Sequence, residues 1–116
     1  MNYVDGFLCA VPNANKDAYT EHAKKFGGLF KEYGALTVVD CWGDDVPEGK
    51  LTSFTMAVKR EDNESVIFSW ITWPSKAVRD EAWKKLMEDE RMKTADNPPF
   101  DGKRMIYGGF QMIAQS

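Results

Sequence analysis

Residues 66 to 73 read Val-Ile-Phe-Ser-Trp-Ile-Thr-Trp, and this run constrains the fold more than any other segment. On a strand, side chains alternate between the two faces of a sheet. One face would carry Val66, Phe68, Trp70 and Thr72, and the other Ile67, Ser69, Ile71 and Trp73. Both faces are apolar, so both need cover. The rest of the chain predicts about two good helices, enough for one face only. The second face must meet another subunit, a ligand, or both.

Tyr3 to Val11 reads as a first strand, broken by Pro12 and Asn13. Asn15 is placed to cap a helix. On that helix Tyr19, His22, Ala23, Phe26, Leu29, Phe30 and Tyr33 recur at spacings of three and four, which makes one face. Gly27 and Gly28 interrupt it, either for a close backbone approach or as tolerated flaws; Gly34 suits its end. A second strand spans Ala35 to Gly43, with Leu36, Val38, Asp40 and Trp42 on one face. Residues 51–59 suit a strand or a short helix; the regular alternation of Phe54, Met56 and Val58 favours the strand. The two-faced strand follows and ends at Pro74. Ser75 then caps a helix over 76–89, with Val78, Ala82 and Leu86 as its apolar line. Residues 93–104 read as a loop, with turn signals at Asn97-Pro98-Pro99 and Asp101-Gly102. Met105 to Ile113 is a last strand, where Gly108-Gly109 marks a bulge or a tight approach.

The order is strand, helix, strand, then strand, helix, strand. That is the split βαβ pattern of a ferredoxin-like α+β domain, an antiparallel sheet with both helices on one face. Its open apolar face would be bare in a monomer, and such patches mark interaction sites. A homodimer is therefore expected.

With 116 residues the chain is read as one domain, 1–116. A net charge of −3 and a pI near 5.1 argue against a nucleic-acid partner, which wants a concentrated basic face. No signal-peptide pattern and no run of about 20 apolar residues occurs, so no membrane association and a cytoplasmic setting are expected. Cys9 and Cys41 fit that setting as small buried residues rather than a disulfide.

Few residues invite a chemical role. Asp40 stands on an apolar strand face; in a cavity it would be a candidate general base, and otherwise it is the ion-pair partner of Lys103 or Arg104 or is simply exposed near a strand end. Trp42, Trp70 and Trp73 suit an aromatic ligand pocket or a dimer core. Arg104, with Lys103, could clamp an anionic ligand group or make a surface or intersubunit ion pair. His22 is the only histidine; it reads as a base or haem ligand, or, since a helix outside a barrel would keep it from the cavity, as a structural residue at the edge of the apolar stripe. Asp44, Asp45 and Glu48 read as a solvated loop. No metal site and no cofactor are expected.

Several segments resemble one known family. They are Tyr3-Val4-Asp5-Gly6-Phe7, Asp40-Cys41-Trp42-Gly43-Asp44-Asp45-Val46-Pro47, Phe68-Ser69-Trp70, Pro74-Ser75-Lys76 and Pro99-Phe100-Asp101-Gly102-Lys103-Arg104-Met105-Ile106-Tyr107-Gly108-Gly109-Phe110. Together they are similar to the YbaA-like family of small bacterial proteins of unknown function. The resemblance implies the dimeric α/β-barrel superfamily, in which two ferredoxin-like subunits join their sheets. It implies no catalytic residues. The wider superfamily includes cofactor-free monooxygenases, haem proteins and isomerases, so fold does not give function. The first expectation is a homodimeric module binding a small apolar or aromatic molecule in a cavity at the sheet face. The alternative is a cofactor-independent enzyme, monooxygenase- or isomerase-like, using the same cavity. A structural or regulatory partner protein is the third.

Overall fold

In the computed structural model, which describes residues 2–93 and 98–116, the two-faced segment is the core of β3 (Glu64–Trp73). It lies between β1 (Tyr3–Pro12) and β2 (Thr37–Trp42), and β4 (Ile106–Gln111) closes the other side of β1. The order is β2-β3-β1-β4, antiparallel throughout. The helices α1 (Lys16–Glu32) and α3 (Lys76–Glu88) follow β1 and β3. This is the expected ferredoxin-like α+β architecture.

The register fixes the two faces. Tyr3, Asp5, Phe7 and Cys9 sit opposite Trp73, Ile71, Ser69 and Ile67, all on the helix side. Val38, Asp40 and Trp42 join them from β2. There Ile67, Ile71 and Trp73 are almost wholly buried. Gly6, Leu8, Phe68, Ile106 and Phe110 lie on the other face, where Phe68 is 47% and Phe110 60% exposed. The prediction that two helices cover only one face holds.

The segment read as a strand over 51–59 is instead a short helix, α2 (Phe54–Ala57). The Ser53 hydroxyl accepts the Met56 N–H at 3.1 Å and starts the turn. β3 already has neighbours on both sides, so a further strand has no central place to pair. α2 instead delivers Val58, fully buried, onto Ala10 and Val66 at one end of the open face. Glu48 of the acidic loop accepts the Thr55 hydroxyl at 2.9 Å and so holds α2 in place.

Other local readings meet mixed outcomes. Ser75 caps α3 by accepting the Val78 N–H, and Gly34 ends α1 at φ +112°. Asn15 does not cap α1. Asn13–Asn15 form a 3-10 turn, and the Asn15 amide donates to the Pro99 carbonyl at 3.2 Å. A single helical turn, α4 (Glu90–Lys93), follows α3; the turn residue Asn97 lies outside the described residues. At Gly108-Gly109 the ladder runs without a bulge, and the tight approach is at Gly109. A Cβ there would stand 2.5 Å from the Tyr3 hydroxyl.

Tyr3 and Gly109 border a buried polar hub. Asp5, 4% exposed, accepts the indole N–H of Trp73 at 2.9 Å and of Trp83 at 3.0 Å. The Arg79 guanidinium donates to both of its oxygens, the shortest bond being 2.8 Å. A carboxylate this deep needs such donors. The hub ties β1, the end of β3 and α3 together, and so sets where α3 lies on the sheet.

Candidate site between the helices and the sheet

The layer between α1 and the sheet is not filled. The sheet contributes Phe7, Cys9, Ser69 and Val38, and α1 faces them with Ala23 and Gly27 among its aromatic residues. Cys9, Ser69, Ala23 and Gly27 are too short to span the gap between layers. A cavity of about 390 Å³ remains, closed on its far side by Trp83 of α3 and by Phe100 and Met105 from the segment before β4. That volume lies within the range of small-molecule sites.

Its polar groups converge at one end. The Tyr19 hydroxyl donates to Asp40 Oδ1 at 2.7 Å. Burial and that bond push the Tyr19 phenol well above its ordinary range, so it remains a neutral donor. Burial, with the nearby Asp40 charge, pushes the Cys9 thiol up to about 12. Cys9 is thus a neutral wall group rather than a nucleophile. His22 lies against Phe26 with the rings tilted at 46° and 4.4 Å apart, and meets Phe100 edge-on at 5.5 Å. Burial lowers its pKa, which keeps the imidazole neutral at pH 7.

The segment over the cavity is fastened to the sheet. Arg104 donates to both oxygens of Glu64 at 2.7 Å, to the Lys59 carbonyl at 2.9 Å and to Asp101 at 3.1 Å. Glu64 is 5% exposed, and the Arg104 bonds hold its carboxyl below the ordinary value. Asn15 grips the same segment through Pro99.

The sequence-predicted residues separate accordingly. Asp40 faces the cavity, but its partner is Tyr19, and Arg104 is committed to Glu64 and Asp101. Trp42 lies on the helix side beside an outer groove, with the Lys16 ammonium 5.5 Å from its ring centre. Trp70 borders the cavity, yet its ring is on the open face, edge-on to Phe68 at 5.5 Å. Trp73 is wholly buried on Asp5 and lines none of these spaces. The roomy cavity is on the helix side of the sheet rather than on the open face; the open face carries a shallower apolar groove of about 270 Å³ along Leu8, Phe68 and Ile106. His22, expected outside, lines the cavity because α1 turns that side of itself inward. Tyr19 and Cys9 were not singled out. The only signal for Tyr19 was its place on the apolar stripe.

Among the described residues, no group of three His, Cys, Asp or Glu side chains is placed to hold a metal ion, and no helix is long and apolar enough to cross a membrane.

Comparison with known proteins bears on the family and the fold. The chain is 62% identical over 114 residues to the uncharacterised protein YbaA of Escherichia coli strain K12, covering 97% of each chain. The Shigella flexneri protein of the same name matches equally well. Among solved structures, a putative antibiotic biosynthesis monooxygenase from Bacillus cereus superposes with a TM-score of 0.58 at 12% identity, over 99% of this chain and 96% of that one. At that identity the likeness is one of fold. Residues 2–102 match the model of a protein family of unknown function, DUF1428, and with the YbaA relatives this places the chain in that family.

Proposed function

We propose that this protein binds a small, largely apolar or aromatic molecule in the cavity between α1, α3 and the sheet, and that it does so as a homodimer joined through the open sheet face. One observation supports the binding reading above all. A 390 Å³ space is walled by the rings of Phe7, Phe26, Trp83 and Phe100, with the Tyr19–Asp40 pair at one end. A concave, largely apolar space of this size with a few converging polar groups is the usual form of a small-molecule site. The exposed Phe68, Ile106 and Phe110 support the dimer. A cytoplasmic setting goes with this reading, since Cys9 and Cys41 are free thiols on opposite faces.

The test is a fluorescence titration with the neutral probe N-phenyl-1-naphthylamine. Saturable binding is expected, and Ala23→Phe, which fills the cavity, should weaken it at least about tenfold while the protein stays folded. Equal binding by the variant would refute the site.

A second reading is catalytic, in the manner of a cofactor-independent monooxygenase or isomerase, with Asp40 as base. Its support is that Asp40 Oδ1 is fixed by Tyr19 while its second oxygen takes no hydrogen bond among the described residues. The fold shared with a putative monooxygenase is consistent with it. Asp40→Asn should leave probe binding largely intact under the binding reading, and abolish turnover under the catalytic one.

A further inference from the structure

We infer that the natural ligand of the cavity is an amphiphilic acid, its apolar or aromatic body inside and its anionic head in a lysine-lined groove outside. This rests on the binding reading above and names the class of ligand.

The groove, of about 410 Å³, runs between α1 and the β2 edge. It shares Tyr19, Ala23, Gly27, Val38 and Asp40 with the inner cavity. The two spaces are therefore separated by a wall one side chain thick. At one point that wall is the Tyr19–Asp40 hydrogen bond, and at another Gly27 faces Val38. Ala23 also lines both spaces, so a ligand longer than the cavity can extend from one into the other here.

Charge in the groove opposes that of the whole chain. The protein carries −3, yet Lys16, Lys24 and Lys31 line the groove, where the one lining acid is Asp40 and Lys24 also pairs with Glu21 at 3.7 Å. Asp40 sits at the waist, where it orients the Tyr19 hydroxyl and drives a negative head outward to the lysines. Trp42, under the Lys16 ammonium, offers a flat wall beside that head.

The glycine pair in α1 is a second, independent observation. Mid-helix glycine is unfavourable and is usually explained by crowding. Nothing crowds these positions. A Cβ on Gly28 would meet no atom within 4 Å, and one on Gly27 would touch Val38 at an ordinary 3.6 Å. Both line the groove. Their missing side chains keep the groove open along α1, with Gly27 at the waist and Gly28 on the outer side.

The test compares three probes of one shape, 2-naphthylacetate, 2-naphthyl phosphate and the neutral 2-naphthylacetamide, by calorimetry at low and at physiological salt. The proposal expects at least one anion to bind about tenfold tighter than the amide, a preference that shrinks with salt. The tighter anion identifies the head group as carboxylate or phosphate. The triple variant Lys16→Gln, Lys24→Gln, Lys31→Gln changes exposed side chains only, and should lose the preference while binding the amide as before. If the amide binds saturably and neither anion does better, or if the preference survives the triple variant, the charge assignment is overturned and the cavity reading stands. If none of the three binds and N-phenyl-1-naphthylamine also fails, both are overturned.

Discussion

Replacing Asp5 by alanine should remove more stability than any other single truncation of a polar side chain in this protein. Three side chains converge on this carboxylate, and they differ in what they can do once it is gone. The Trp73 ring is 0% exposed, so water cannot reach its N–H. The Trp83 N–H is left beside it without its acceptor. Arg79 is 24% exposed and keeps its bond to Asp80, so it recovers part of its solvation. Two stranded indole donors at about 1–1.5 kcal/mol each, plus a partly buried cation deprived of its counter-charge, come to about 4 kcal/mol. For a chain of 116 residues the unfolding entropy near the midpoint is about 0.24 kcal/mol per degree. Thermal unfolding should therefore shift down by about 15 °C. Calorimetry with urea titration read by near-ultraviolet circular dichroism measures both quantities. Glu21→Ala, which removes an exposed pair with Lys24, serves as the control and should change stability by less than about 0.5 kcal/mol. A loss under about 1 kcal/mol for Asp5→Ala would refute the reasoning, because the hub would then not be what holds α3 and its Trp83 against the cavity.

Two further outcomes are expected. Glu64 has a folded pKa below its ordinary value of 4.5, chiefly through the Arg104 bonds, so the unfolded chain takes up its proton first as pH falls. Its contribution is present above pH 4.5 and is lost as pH drops through the folded value; Glu64→Gln should be less stable near neutrality, with the gap in urea midpoint closing as pH falls below 4.5, and parallel curves would contradict this. Cys41 is exposed on the open face and should react with a disulfide reagent in the native protein, whereas Cys9, buried with its thiol pushed up to about 12, should react only on unfolding. If the open faces pair, Cys41 labelling will slow as protein concentration rises; a concentration-independent rate would count against the homodimer.

The architecture was legible because β3 announces its own burial. A run apolar on both faces has to lie inside a sheet, and the Pro12 and Pro74 breaks separate each strand from its helix. Residues 51–59 misled because alternation tells which side chains share a face, not whether a neighbouring strand has room to pair. The cavity was illegible for a related reason. Cys9, Ala23, Gly27 and Ser69 are unremarkable in three separate elements, and a void exists only where their shortness coincides. Trp73 attracted attention as a ring, but its role is set by Asp5, 68 positions away. Asp40 was singled out for being a carboxylate on an apolar strand face. In the structure β2 is an edge strand and Asp40 is exposed on it. What sets it apart is the buried phenol of Tyr19 locked onto one of its oxygens at the waist between groove and cavity. Any selectivity or chemistry at this site therefore belongs to the pair, and a variant that spares Asp40 but removes the Tyr19 hydroxyl should disturb it as much as one that neutralises the carboxylate.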